Sequence, residues 1–290
     1  MKVDSSILTG DCETILSDLP EESVDLIFTS PVYADARKKT YGGIEPENYV
    51  EWFAPKAEQF FRVLKPTGTF VFVIKEKVIK GQRTLYVNDL ISYLVRKSSW
   101  LWTEEWCWRK TTSFPGKWNN RFRDGFERIL QFNKQRKFAM YQDAVRKPIG
   151  KWKDHRLKYI GDNDTLRYEN QTGSRFAKNH SHWIGKQFVL PDNVVECAPE
   201  TRNKKHSAVF PEYLPEYFIR LFSQSGDLVC DPFNGSGTTT KVAHHLGRRY
   251  YGIDIQPEYK DLAKERLSED YSPKLHCDPR DDENDDEKIA

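Results

Sequence analysis

Asp227-Leu228-Val229-Cys230-Asp231 is an apolar strand, Pro232-Phe233-Asn234-Gly235-Ser236-Gly237 a glycine loop, and residues 238–246 a helix; Arg249-Tyr250-Tyr251-Gly252-Ile253-Asp254 is a second strand that ends in an acid. Glycines at 235 and 237 let the backbone turn tightly and approach a ligand closely. Asp254 stands 17 positions after Gly237, where an acid accepts hydrogen bonds from both hydroxyls of a ribose. The order strand, loop, helix, strand, acid therefore reads as a nucleoside site on an α/β sheet. A phosphate-binding loop needs Lys-Ser or Lys-Thr directly after its last glycine, and Lys241 comes four positions after Gly237. A dinucleotide stays open, although Thr240 occupies the place of the third glycine. S-adenosylmethionine needs only the first two glycines, because it carries no pyrophosphate.

Outward from this stretch, the chain alternates strands and helices. Residues 6–11 read as a short strand ending in Asp11, and residues 11–19 as a helix. Val24-Asp25-Leu26-Ile27-Phe28-Thr29 is a buried-type strand that breaks at Ser30-Pro31. Residues 47–64 carry Val50, Phe53, Ala57, Phe60, Phe61 and Leu64 at helical spacing, and Lys65-Pro66-Thr67-Gly68 is read as a stop and turn. A strand over 69–74, a helix over 85–95, an aromatic stretch over 100–108 and an alternating hairpin strand over 126–132 follow. Between about 133 and 193 the periodicity fades. Regular structure returns with a helix over 210–222. The pattern predicts a doubly wound, mostly parallel α/β sheet with an insertion, whose ligands sit at the carboxyl ends of the strands.

Thr29-Ser30-Pro31-Val32-Tyr33 lies at such an end. An exocyclic amine of cytosine or adenine is a poor nucleophile, since its lone pair is delocalised into the ring. Two acceptors aimed at its hydrogens favour a tetrahedral nitrogen. The Ser30 hydroxyl and the Pro31 carbonyl can supply them, and the proline ring fixes φ and so steadies that carbonyl. Tyr33 can stack on an extruded base. A sulfonium methyl is already electrophilic, so positioning and electrostatics carry the catalysis, without a metal or a covalent nucleophile. Taken alone, a Ser-Pro turn with a tyrosine is a common strand ending. Its weight comes from the glycine loop and from charge.

Formal charge is only +2 over 290 residues, yet residues 109–186 hold 19 Lys/Arg against 7 Asp/Glu. Such a basic middle fits a polyanion. Arg121, Arg123, Lys151, Lys153, Arg156 and Arg175 are candidate contacts to phosphate or guanine, and Trp118, Trp152 and Trp183 candidates for base or sugar. The stretch 278–288 reads as an acidic disordered tail. Five scattered cysteines without a Cys-x-x-Cys pair argue against a disulfide framework or structural zinc and fit a reducing cytosol. No apolar run approaches the roughly 20 residues of a membrane span, and the first residues lack the apolar core of a signal peptide. His180-Ser181-His182 lacks a third ligand at metal spacing, and His244-His245 reads as surface.

These residues together resemble the amino-methyltransferases of DNA restriction–modification systems, in the permuted beta arrangement. In that group a Ser/Asp-Pro-Pro-Tyr motif precedes the recognition region and a Phe-x-Gly-x-Gly motif follows it. Here Ser30 to Tyr33 come first and Phe233 to Gly237 last, over nearly all of residues 5–270. The resemblance implies a Rossmann-like, seven-stranded, mostly parallel methyltransferase sheet with an inserted, loop-rich recognition region. Residues 1–110 would be the catalytic half and 196–277 the cofactor half. Residues 111–195 would recognise the target, with the strand 125–133 shared with the core.

The resemblance also implies roles. Ser30, Pro31 and Tyr33 would be catalytic. S-adenosyl-L-methionine would be held by Asp11 at its adenine amino group, by Asp254 at the ribose, by Phe210 and Pro211 near the methionine end, and by Asp231, Phe233, Gly235, Gly237 and Thr238. His206 lies where similar enzymes also carry His. A leading Ser is similar to cytosine-N4 enzymes, whereas adenine-N6 enzymes mostly carry Asp; adenine-N6 methylation is the alternative. Val32 departs from the usual second proline, so a catalytically weak DNA-binding protein of this fold stays open; an RNA-base methyltransferase is a separate alternative. The implied partners are duplex DNA and, functionally only, a cognate restriction endonuclease, in a prokaryotic cytoplasm near the nucleoid, with no metal or membrane. The chain would be a monomer or a homodimer.

Overall fold

A computed structural model describes residues 3–36, 38–112, 116, 119–150, 167–169, 175–177, 185–200 and 210–275. The chain forms two compact units, one of Met1–Tyr141 with Asp192–Leu275 and the other including Gln142–Pro191. The larger unit holds β1 (Ser6–Thr9), α1 (Cys12–Ser17), β2 (Val24–Thr29), α2 (Tyr49–Val63), β3 (Leu64–Ile74), α3 (Tyr86–Lys97), β4 (Leu101–Lys110), β5 (Phe126–Asn133), β6 (Val194–Cys197), α4 (Tyr213–Phe222), β7 (Leu228–Asp231), α5 (Thr238–His245), β8 (Arg249–Asp254) and α6 (Pro257–Leu267). Its sheet has the order β1-β8-β7-β2-β3-β5-β4-β6. Only β5 runs against the rest, paired antiparallel with β3 and β4.

The sheet has eight strands, one more than the expected seven. The addition is β6, parallel to β4 in the register Val194↔Cys107 to Cys197↔Lys110. It lies at the end of the stretch in which the sequence shows no periodicity. Four residues with one buried side chain give periodicity too little to register. A second correction concerns Lys65-Pro66-Thr67-Gly68, read above as a turn. They belong to β3: Val24 pairs with Leu64 and Leu26 with Thr69, so the extra residues bulge out within one continuous strand.

Helices cover both faces, which is why β2 and β7 read as nearly unbroken apolar runs. Alternation along each strand divides the core. Phe70 and Phe72 of β3 meet Phe60 and Phe53 of α2 on one face, at ring distances of 5.4 and 5.8 Å. On the other, Phe28 of β2 stacks on Phe218 of α4 at 5.3 Å. Tyr49, Phe53, Ala57 and Phe60 recur at three- and four-residue spacing and are all fully buried. Burying rings of this size contributes on the order of 2–3 kcal/mol each. β2 and β7 lie side by side at the centre, and from there the chain crosses over to β3 in one direction and to β8 in the other. Ligand crevices form at such a divergence.

The smaller unit contains a short helical turn, Gln142–Val145, and two pairs of very short strands, Lys147–Pro148 with Phe188–Val189 and Arg167–Glu169 with Arg175–Ala177.

Candidate active site

The ends of β2 and β7 are tied by a buried hydrogen bond: the Thr29 hydroxyl donates to Asp231 Oδ1 at 2.6 Å. The same oxygen accepts from the Phe233 amide at 3.1 Å. Burial pushes the Asp231 carboxyl up to about 6, against the bonds from hydroxyl and amide groups that lower it. Asp231 thus braces two loops where they leave the sheet.

The glycine loop rises from this brace. Gly237 has φ +82° and opens α5, and a Cβ there would come within 2.6 Å of Ala263 on α6. Glycine therefore sets both the turn and the fit of the loop against α6. Asp254, at the end of β8, accepts from the Gly235 amide at 2.8 Å and the Gln256 amide at 2.9 Å. Burial raises its pKa, while those amides and the Tyr41 hydroxyl pull it down.

Across from the loop, the Ser-Pro turn follows β2. The Ser30 hydroxyl lies 3.4 Å from the Tyr33 hydroxyl, which donates to Glu127 Oε2 at 2.6 Å. Glu127 Oε1 accepts from Lys110 Nζ, also at 2.6 Å, and Lys110 lies 4.9 Å above the Trp108 ring. Burial, together with the adjacent carboxylate, raises the Tyr33 pKa well above its ordinary value, so the phenol stays a neutral donor. The Val32 carbonyl accepts from the buried Tyr49 hydroxyl at 2.8 Å. This bond steadies the turn at the position where the second proline is missing.

Both motifs line one cleft of about 350 Å³, walled by Ser30, Pro31, Tyr33, Phe233, Gly235 and Asp254 among others. Phe210, Thr238, Trp108, Lys110 and Glu127 line it too. A second lobe of about 180 Å³ contains Asp11, Trp52, Lys56 and Ile255 and shares Val32, Tyr41, Phe233 and Asp254 with the first. The lobes suit different parts of a nucleoside sulfonium. The smaller offers apolar walls, the Asp11 carboxylate and the ribose-type acid Asp254; the larger joins that acid to the Ser-Pro turn. Asp11 caps α1 by accepting from the Glu13 amide at 2.8 Å, and Lys56 Nζ stands 3.6 Å from its other oxygen.

Three expected cofactor residues do not line either lobe. Asp231 is the brace, Gly237 the turn, and the Pro211 carbonyl accepts from the Leu214 amide at the start of α4. Arg121 is half-buried and Arg123 exposed, both just before β5. Lys151, Lys153, Arg156, His206, the histidines at 180 and 182, Trp118, Trp152, Trp183 and the acidic tail lie outside the described residues, as does the side chain of Arg175. Among the described residues no group of three His, Cys, Asp or Glu is disposed to hold a metal, and no helix is long and apolar enough to cross a membrane. Residues missed from sequence are Trp52, Lys56, Lys110 and Glu127. Glu127 left one signal, as a charge on the same face of an alternating strand as Ile129.

A profile of the N6/N4 DNA methylases matches residues 24–265. The chain belongs to this DNA methylase family. As an N6/N4 methylase it is an S-adenosylmethionine-dependent DNA methyltransferase, and the two-lobed cleft has the residues to receive that cofactor. Type II methyltransferase M.PvuII of Proteus hauseri is 28% identical, over 92% of this chain and 88% of the relative. The orphan methyltransferase M.BamHII of Bacillus amyloliquefaciens is 32% identical, over 84% and 89%. Among solved structures, the cytosine-N4-specific PvuII DNA methyltransferase superposes with a TM-score of 0.70 at 25% identity, covering 94% of this chain and 89% of that one. A DNA modification methylase of Thermus thermophilus, solved with S-adenosyl-L-methionine, gives 0.58 at 25% identity, over 91% and 93%.

Proposed function

We propose that this methylase transfers the methyl group to the exocyclic N4 of cytosine within a specific site of duplex DNA, as the modification enzyme of a restriction–modification system in a bacterial cytoplasm. The observation that carries this reading is the shared cleft: Ser30, Pro31 and Tyr33 line the same cavity as Phe233, Gly235 and Asp254. A serine in the leading position of the turn, and likeness to a cytosine-N4-specific structure, support cytosine over adenine.

S-adenosylmethionine supplies an electrophilic methyl on its sulfonium. Asp254 would accept hydrogen bonds from the ribose hydroxyls, Asp11 would accept from the adenine amino group, and Ile255 and Trp52 would cover the adenine ring. Ser30 Oγ and the Pro31 carbonyl accept from the target amine and draw its lone pair out of the ring. Tyr33, held by Glu127, packs against the extruded base. With the cofactor bound, its sulfonium would supply the methyl carbon and keep the electron pair of the broken S–C bond, and the proton displaced from the methylated amine would pass to water, with Ser30 Oγ and the Pro31 carbonyl holding the nitrogen in place. Positioning groups of this kind are worth roughly 10²–10³ in rate. The basic residues of 111–195, including Arg121, Arg123, Lys151, Lys153, Arg156 and Arg175, would hold the DNA backbone and read the site.

The direct test is Ser30→Ala with tritiated methyl donor and duplex DNA. Single-turnover transfer is expected to fall by roughly 10²-fold or more, with cofactor affinity unchanged by calorimetry. Undiminished transfer would remove Ser30 from the reaction.

A further inference from the structure

Phe122 is 94% exposed, the most exposed large apolar side chain among the described residues; Leu85 follows at 64%. It stands between Arg121 and Arg123. The next residue, Asp124, anchors this loop. Its carboxylate lies 3.3 Å from Lys75, 2.8 Å from Arg83 and 3.2 Å from Arg121. Burial pushes that carboxyl up, but the Arg83 and Lys75 cations outweigh it and hold it below its ordinary value. The anchor is thus an ionised group held by three cations, one of which, Arg83, also faces Glu76 at 3.9 Å.

The anchor fixes where Phe122 can be. Lys75 directly follows β3, whose Val73 lines the large lobe, and Glu127, five residues after Phe122, lines it as well. Five residues span at most about 17 Å, so Phe122 lies within that reach of the lobe assigned to the target base, in the connection between Lys110 at the end of β4 and Phe126 at the start of β5. Phe122 has arginines as its chain neighbours and ion-paired Lys75, Arg83 and Arg121 at the base of its loop. That combination suits a polyanion whose interior is apolar.

Chemistry on a base amino group requires the nucleotide to leave the stack. Apolar side chains enter base steps of duplex DNA as wedges, while neighbouring cations take the phosphates. We propose that Phe122 is this wedge: its ring enters the duplex beside the target base as that base moves into the cleft, and Arg121 and Arg123 hold the flanking backbone. This inference rests on the DNA-methylating reading above and adds a residue to it.

The test uses the full chain as wild type, Phe122→Ala and Phe122→Trp. Each is assayed in single turnover on a short duplex bearing the site the enzyme itself methylates, and on the same duplex with the target base opposite an abasic position. The second substrate has already lost the pairing that resists extrusion. Phe122→Ala is expected to slow transfer on the paired duplex by roughly tenfold or more and to stay within about twofold of wild type on the unpaired one. Phe122→Trp should keep the paired rate. Equal slowing on both substrates, no slowing on either, or an altered oligomeric state for Phe122→Ala would overturn the wedge. Absence of transfer by wild type on either duplex would instead overturn the underlying reading and take the wedge with it.

Discussion

Asp254 accepts two backbone amides at its own strand end and, in the proposed site, the ribose hydroxyls as well. Only the ionised carboxylate can accept all of these. Burial raises its pKa, so cofactor binding should weaken on acidification sooner than an ordinary aspartate would allow. Calorimetry with S-adenosylmethionine across the acidic range should show this fall. Asp254→Asn should bind roughly 10–100-fold more weakly at neutral pH, as the loss of charged hydrogen bonds costs about 1.5–3 kcal/mol, with a flattened pH dependence. Asp254, Ser30 and Gly235 were legible because each sits at a fixed offset from a strand end. Glu127 showed only as a charge on the face it shares with Ile129, because its partner Tyr33 is 94 positions away and the pairing itself leaves no local trace. The same holds for Tyr49, whose bond to the Val32 carbonyl offsets the missing proline.

Among the elements, β2 and β7 carry the site, and the Thr29–Asp231 bond joins their ends. Asp231 sits at about 6 when folded, against 3.8 as its ordinary value. Between those values the folded state binds more protons than the unfolded one. The contribution of this group to stability is therefore complete below about pH 4 and lost as pH rises through about 6. Urea denaturation of wild type and Asp231→Asn over that interval should give curves that converge or cross, the wild type losing up to about 3 kcal/mol relative to the variant. Parallel curves would mean that Asp231 does not titrate there. Most strands were readable from apolar runs closed by Pro or Gly. The bulge at residues 65–68 was not, since Lys-Pro-Thr-Gly has the composition of a turn and only pairing with β2 keeps it in the strand. The eighth strand, β6, escaped because its register comes from β4 and not from its own four residues.

For the whole molecule, the order of the two motifs around a basic insertion fixed the expectation of one sheet with one cleft, and the strand order β1-β8-β7-β2-β3 delivers it. The charge asymmetry has a measurable consequence. Reversing Lys151, Lys153 and Arg156 to Glu should weaken DNA binding and reduce the slope of log K against log salt by about 3, since each phosphate contact contributes roughly 0.9. S-adenosylmethionine affinity should stay unchanged, because the cofactor lobes lie wholly within the larger unit. An unaltered salt slope would take these three residues off the DNA.

In the proposed reaction the Ser-Pro turn and the glycine loop form one site that delivers a methyl group to a cytosine amine. Duplex DNA incubated with the chain and S-adenosylmethionine carrying a deuterated methyl, then digested to nucleosides and resolved by mass, reads that delivery in one step. Deuterated N4-methylcytosine is the expected modified nucleoside. Label in N6-methyladenine, or no label in any nucleoside, would contradict it.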